Sequence, residues 1–122
     1  MKKILRAAIA ALTLLGMAGT HAADKPPSRN QYFGAIAYHA GSASAGWATD
    51  RKSSREARLE ALKACGHQEC VVVGTVTRGC VALARNPKKF IVQKGVTRQE
   101  AETKALGRCG TSCEVAAWTC TR

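Results

Sequence analysis

The chain offers few side chains that could act on a substrate. After its first 22 residues it has two histidines, His39 and His67, and neither stands in a recognisable nucleophile or metal-binding motif. Glu69 follows His67 closely enough to orient a proton transfer, but two polar residues in a short surface loop are ordinarily just solvated. Ser42 and Ser44 fall in an Ala/Gly-rich turn with nothing to activate a hydroxyl. We therefore predict no catalytic residue, no metal site and no cofactor.

An internal repeat organises the chain around these residues. Ser53 stands three residues before Glu56, and Thr97 stands three residues before Glu100, at a constant offset of 44 residues between the two copies. A hydroxyl three residues before a glutamate is the capping box of a helix N-terminus. Each copy later ends in a Cys-Gly pair, and a glycine there favours the left-handed conformation that closes a helix. The sequence therefore predicts two equivalent helices.

The six cysteines are expected to form disulfides rather than a metal site or a nucleophile. An even number of cysteines in an exported protein is typical of a disulfide framework. The repeat selects among the 15 possible pairings, because two close pairs hold equivalent positions after the helices and two cysteines then remain. The predicted disulfides are Cys65–Cys70, Cys109–Cys113 and Cys80–Cys120.

The first 22 residues have the composition of a secretory signal peptide. Three cations, Lys2, Lys3 and Arg6, precede an apolar run, and small residues lead to a cleavage point after Ala22. The run is shorter than the roughly 20 residues that span a bilayer. We therefore predict a periplasmic or secreted protein whose mature chain has no transmembrane segment. Residues 23–31 are predicted to be a flexible leader, and residues 32–122 a single duplicated domain.

Short apolar runs predict the strands of that domain. They cover residues 33–38, 46–49, 71–76, 80–85, 90–93 and 114–119. Each unit is therefore strand, strand, helix, strand. Alanines recur at helical spacing along one face of each helix, which lets the helix lie close against a sheet. The predicted fold is α+β, with the duplicated unit forming a six-stranded sheet with two helices, stapled by disulfides.

These motifs resemble the bacterial family catalogued as domain of unknown function 4189. The resemblance is carried by Tyr32–Tyr38, Gly46-Trp47, Arg55–Gly66, Cys70–Val73 and Ala117–Cys120. It covers nearly the whole predicted mature chain and implies a small secreted protein of this fold. The turn Asn86-Pro87-Lys88-Lys89 departs from the Gly-rich turn expected for the family. The family's name assigns no activity.

Positive charge is concentrated in one part of the chain. The 19 Lys and Arg less the three in the first 22 residues leave 16, against 8 Asp and Glu, a net charge of +8. No acidic residue occurs between Cys70 and Gln99. A field of one sign steers acidic partners towards a small protein. The candidate binding residues are the cations of this window, with Tyr38 at the end of its strand: Arg78, Arg85, Lys88, Lys89, Lys94, Arg98 and Tyr38.

Three further aromatic side chains, Trp47, Phe90 and Trp118, also fall on predicted strands. Packing within the fold is the favoured role for an aromatic residue on a strand. We therefore expect them in the core or in cross-strand pairs rather than at a ligand.

The expected function is that of an exported binding protein without enzymatic activity. An acidic protein is the favoured partner, and the favoured role is an inhibitor or immunity protein that occludes a toxin or hydrolase in the periplasm. The alternative is a module that binds anionic cell-envelope polymer or lipid headgroups through its basic surface. Nucleic acid is not expected, because it is scarce in that compartment and no stacking-rich aromatic motif accompanies the basic residues.

Overall fold

A computed structural model describes residues 31–122, so the predicted signal peptide and all but the last residue of the predicted leader lie outside the described residues. The elements are β1 (Phe33–His39), β2 (Ser44–Arg51), α1 (Ser54–Cys65), β3 (Val71–Val76), β4 (Cys80–Asn86), β5 (Lys89–Gly95), α2 (Arg98–Cys109) and β6 (Glu114–Cys120). The α+β class and the duplicated strand-strand-helix-strand unit are confirmed. Within residues 31–122 no helix has the length and apolar character needed to cross a membrane.

The six strands form two sheets of three rather than the one continuous sheet expected. The first sheet has the order β2-β1-β3 and the second β5-β4-β6. Neighbouring strands are antiparallel throughout both sheets. Each unit of the repeat therefore builds its own sheet around its own first strand.

The two sheets pack face to face between the two helices. In β1, Ala35 and Ala37 face α1, whereas Ile36 and Tyr38 face the other sheet. β4 repeats this alternation beneath α2. Because each central strand is apolar on both faces, one face is covered by a helix and the other needs a second sheet. The layers are therefore helix, sheet, sheet, helix.

The predicted helix caps are present, with one difference. The hydroxyls of Ser53 and Thr97 accept hydrogen bonds from the backbone N–H groups of Glu56 and Glu100, at 3.0 and 3.1 Å. Gly66 ends α1 in the left-handed conformation, with φ 72° and ψ 8°. The glycine that ends α2 keeps a positive φ of 90° but has an extended ψ of −154°. The disulfide after α2 spans one residue fewer than the one after α1, so the chain extends sooner.

A glycine in β2 allows α1 to lie directly on the first sheet. A Cβ atom built on Gly46 would overlap the backbone of Ala61 and Cys65. The residues that α1 buries are equally small: Ala57, Ala61 and Cys65. α2 buries the equivalent three residues. The predicted close packing of small-residue helix faces is confirmed.

The three disulfides are those predicted, Cys65–Cys70, Cys80–Cys120 and Cys109–Cys113. The two short ones follow the two helices at equivalent places. Cys80 and Cys120 lie directly opposite each other on β4 and β6. In the first sheet the place equivalent to Cys80 is held by Phe33, because Ala35 and Ala37 lie under α1 as Ala82 and Ala84 lie under α2. The second unit therefore carries a cross-strand staple that the first lacks.

Candidate functional site

Four of the seven candidate binding residues line one open groove. It lies between the turn that joins β1 to β2 and the turn that joins β4 to β5, and its volume is about 720 Å³. Tyr38, Arg85, Lys88 and Lys89 contribute to its lining. Among the described residues that line it, Glu114 alone carries a carboxylate. The basic groove, as we call it, is the strongest candidate site among the described residues.

Asn86 holds the lysines at the rim of the basic groove. Its Oδ1 accepts hydrogen bonds from the backbone N–H groups of Lys88 and Lys89, at 2.9 and 3.0 Å. The turn is therefore fixed through its amides, and the Lys88 side chain stays exposed. A Cβ built on Gly110, at the C-terminal end of α2, would lie 3.8 Å from Lys89 Nζ. The free carbonyl groups of a helix C-terminus favour such a cation.

Arg85 connects the two walls of the basic groove. Its Nη1 donates a hydrogen bond to the carbonyl oxygen of Ala43 at 3.3 Å. Its Nη2 lies 3.6 Å from Oε1 of Glu114, whose side chain is 73% exposed. Arg85 Nε is buried and has no hydrogen-bond partner within the described structure. Since an exposed ion pair contributes little, about 0–1 kcal/mol, an incoming carboxylate can compete with Glu114 for this guanidinium.

Two aromatic rings give the basic groove an apolar floor. Tyr38 and Phe90 meet edge to face, with ring centroids 5.1 Å apart. Tyr38 is only 4% exposed and belongs to the core between the sheets, whereas Phe90 is 39% exposed. The sequence pointed to Tyr38 as the aromatic ligand contact, but Phe90 offers the larger accessible surface. The groove combines cations with an aromatic patch.

The other three candidates lie outside the basic groove. Arg78 occupies the turn between β3 and β4 with a positive φ of 53°, and Lys94 is exposed near the end of β5. The Arg98 guanidinium lies 3.8 Å from the centre of the Trp118 ring, and its Nε donates to Glu102 at 2.8 Å. The candidate cations fall in one window of the sequence, but they do not form one continuous surface in the structure.

A second groove, of about 500 Å³, is lined by Trp47, Trp118 and Arg98. Trp47 is 52% and Trp118 37% exposed, so the expectation of a core position is wrong for both. Trp47 lies on β2 and Trp118 on β6. These are edge strands of their sheets, and an edge strand has no neighbour on one side to cover its side chains. We call this the tryptophan groove.

The structure also joins residues that the sequence left apart. His39 ends β1, while His67 and Glu69 lie in the loop after α1. The two imidazole rings are stacked with centroids 4.0 Å apart, and Nε2 of His39 is 3.3 Å from Oε2 of Glu69. The pairing of Tyr38 with Val71 brings the two segments together. Knowledge of this strand register would have revealed the cluster, but the register is set by tertiary pairing and is not visible in the sequence.

Comparison with known proteins identifies the family of this chain. The model of the family described as Domain of unknown function (DUF4189) matches residues 33–120. The chain belongs to this family. The resemblance seen in the sequence motifs is thus confirmed.

Two relatives of the chain are the Uncharacterized protein Rv1813c of Mycobacterium tuberculosis (strain ATCC 25618 / H37Rv) and the Uncharacterized protein Mb1843c of Mycobacterium bovis (strain ATCC BAA-935 / AF2122/97). Each is 40% identical to the chain over 77 residues, which are 63% of this chain and 52% of the relative. The chain thus spans about half the length of these relatives. The NMR structure of Rv1813c from Mycobacterium tuberculosis is similar, with a TM-score of 0.58, 31% sequence identity, and coverage of 73% of this chain and 74% of that one.

Proposed function

We propose that this DUF4189 protein is an exported, non-enzymatic binding protein whose basic groove receives an acidic segment of a partner protein. The favoured role is an inhibitor or immunity protein that occludes a toxin or hydrolase in the periplasm. Export is supported by the composition of residues 1–22. It is supported also by three disulfides, which are typical of oxidising compartments.

The observation that carries the proposal is the composition of the basic groove. Arg85, Lys88 and Lys89 stand around a floor that includes the exposed ring of Phe90. A guanidinium matches a carboxylate in a bidentate, charge-assisted contact. An aromatic floor adds a place for an apolar side chain of the same segment. A peptide with carboxylates beside an apolar residue satisfies both features, whereas a uniform polyanion uses only the charge.

The rest of the surface favours rapid encounter with an acidic partner. The net charge after residue 22 is +8 from 16 cations and 8 acids. Such a field raises association rates and is screened beyond about 8 Å at physiological ionic strength. The field steers the partner, and the groove determines where it binds.

A second candidate function, binding of an anionic cell-envelope polymer, is favoured by the tryptophan groove. Trp47 and Trp118 present partly accessible rings, and the Arg98 guanidinium lies over one face of the Trp118 ring. Flat aromatic faces next to a cation suit sugar rings that carry acidic substituents. This candidate uses a different groove, so the two functions can be separated by mutation.

Charge reversal tests the role of the basic groove. The variant Lys88→Glu, Lys89→Glu should bind an envelope protein partner at least about 10-fold more slowly, because two of the groove cations become repulsive. The matched control is Arg78→Glu, Lys94→Glu, which changes the net charge equally at two exposed sites outside the groove. Partners captured from envelope extract at two salt concentrations would be identified and then titrated against both variants. If the Lys88, Lys89 variant binds no worse than its control, the groove proposal is refuted.

The form of the complex separates the two candidates. A protein partner should give a saturable complex of fixed stoichiometry, whereas a polymer should show steep salt dependence and little selectivity. The variant Trp47→Ala should weaken polymer binding and leave a groove-bound protein partner unaffected. Loss of the protein partner in the Trp47 variant would place the interface in the tryptophan groove instead.

A further inference from the structure

His39, His67 and Glu69 form a cluster that neither groove uses. Each offers one potential ligand atom, and these atoms lie within 4.8 Å of one another. The two histidines are half-buried and the glutamate is exposed. The cluster is thus open to solvent on the side of Glu69.

The spacing of the cluster fits a zinc ion. Zinc binds imidazole nitrogen at about 2.0–2.1 Å and carboxylate oxygen at about 2.0–2.2 Å, so two ligand atoms of a tetrahedral site lie about 3.3–3.5 Å apart. Nε2 of His39 is 3.3 Å from Oε2 of Glu69. These two atoms already have the separation of a tetrahedral edge. The ligand atom of His67 lies within 4.8 Å of the other two, but the two imidazole rings are stacked, so the His67 ring must rotate before its nitrogen points at the same ion.

One hydrogen-bonded tautomer of His39 leaves its Nε2 atom free to bind a cation. Nδ1 of His39 is 2.7 Å from Oγ of Ser42, and the Ser42 hydroxyl donates in turn to Oγ of Ser44 at 2.8 Å. When the Ser42 proton points to Ser44, its oxygen accepts from Nδ1–H and Nε2 carries a lone pair. That lone pair then faces the Glu69 carboxylate, and only a proton or a metal ion between them relieves the repulsion.

This arrangement matches the way proteins support metal-binding histidines, whose second ring nitrogen usually donates to an oxygen. In the other tautomer the Ser42 backbone N–H donates to Nδ1 at 3.2 Å and the proton is on Nε2, so zinc binding displaces that proton and breaks this hydrogen bond. The Glu69 backbone N–H likewise donates to Nδ1 of His67 at 3.0 Å. This N–H is exposed, so it can donate to a water molecule instead when His67 binds the ion.

Both segments of the cluster are anchored. The disulfide Cys65–Cys70 closes the five-residue span that carries His67 and Glu69. The backbone N–H of Cys70 also donates to the carbonyl oxygen of His67 at 3.0 Å. His39 is the last residue of β1 and pairs with Ser44. Little backbone freedom therefore remains to be lost when an ion binds.

We propose that His39, His67 and Glu69 bind a zinc ion, with the fourth position open to water or to a ligand from a partner. Two imidazoles and one carboxylate are a ligand set that zinc accepts in sites with an open position. Magnesium and calcium prefer all-oxygen sites, so they should not compete. The proposal does not rest on either groove, and the groove variants should bind zinc normally.

Calorimetric titration of zinc chloride into the protein with its three disulfides formed tests the site. The expected result is one saturable site at micromolar zinc, and no heat from magnesium chloride. Glu69→Gln keeps the shape of the side chain but removes its charge, and it should weaken zinc binding by more than about 10-fold, as should His67→Ala. The matched control is Glu56→Gln, an exposed glutamate on α1 outside the cluster, which should bind zinc like the wild type.

The imidazole nitrogen resonances provide a second measurement. Zinc should shift the ring nitrogens of both His39 and His67 at one equivalent, and Ser42→Ala should lower the affinity by about 10-fold through loss of the support at Nδ1. The proposal is overturned if wild-type protein shows no saturable zinc site, which would mean that a proton alone occupies the gap. It is overturned equally if Glu69→Gln, folded by circular dichroism, binds zinc as tightly as Glu56→Gln.

Discussion

Removing the disulfide between β4 and β6 should destabilise the protein more than removing the one after α1. Cys80 and Cys120 are 40 residues apart, and Cys65 and Cys70 are five apart. In the chain-entropy model a cross-link stabilises by restricting the unfolded chain, by about 4 kcal/mol for the long loop and about 2 kcal/mol for the short one. The expected difference is therefore about 2 kcal/mol.

The structure makes this comparison a fair one. Cys80 is 4% exposed, and Cys65 and Cys70 are 7% and 9% exposed, so replacement by alanine removes a similar buried sulfur in each case. The strands joined by Cys80–Cys120 also remain paired through their backbone along the rest of β4 and β6. What differs most between the two deletions is the length of the loop that each bond closes.

Paired alanine variants avoid free thiols and isolate each bond. Urea unfolding followed by circular dichroism gives the free energy of unfolding. For a domain of this size, each 1 kcal/mol corresponds to roughly 4–8 °C in melting temperature. The variant Cys109→Ala, Cys113→Ala is the control, since its loop of four residues should behave like that of Cys65–Cys70. Equal losses for the long and short loops would refute the loop-closure reasoning and point to local packing.

Three further outcomes are expected. Gly46→Ala should cost about 3 kcal/mol or more of unfolding free energy, because the added methyl meets the backbone of α1. The control Gly107→Ala has open space around the added methyl and should stabilise the protein by about 0.5–1 kcal/mol. Similar urea midpoints for the two variants would contradict this prediction. Thr119→Val should cost about 1–3 kcal/mol, since its buried hydroxyl donates to the Ala48 carbonyl of the other sheet at 3.1 Å, and a neutral result in the same assay would show that water replaces the bond. The backbone N–H of Arg122, and secondly its guanidinium, hold the pKa of Asp50 below its ordinary value of 3.8. The stability that this carboxylate contributes is present above that value and is lost as the pH falls through the lowered pKa. The unfolding free energy of Asp50→Asn should therefore be lower than that of wild type at neutral pH and converge with it in acid, and a difference that is constant with pH would contradict the assignment.

Much of the local structure was readable from the sequence. The helix limits follow from the capping boxes at Ser53 and Thr97, because a cap is a contact between residues three apart in the chain. The disulfide pairing follows from the repeat, since equivalent positions in a duplicated unit make equivalent bonds. The strands follow from short apolar runs. In all three cases the decisive residues lie near each other or are related by the repeat itself.

The number of sheets was decided by tertiary packing. The continuous apolar run of β1 predicts a strand that is apolar on both faces, but it does not say what covers the second face. The same runs are compatible with one sheet between helix layers or with two sheets packed on each other. Two packed sheets are favoured by contacts such as the one between Thr49 and Thr119, which are 70 residues apart in the sequence.

The candidate site divides in the same way. Positive charge between residues 70 and 99 could be counted from the sequence, yet Arg85 and Lys88 share a groove while Arg98 lies against a tryptophan elsewhere. Trp47 was expected to pack within the fold, and only its place on an edge strand shows why it does not. His39 and Glu69 meet because β1 pairs with β3. Sequence patterns record which face of an element is apolar, whereas the neighbours that meet across elements depend on strand register and sheet packing, and these are set by the whole chain.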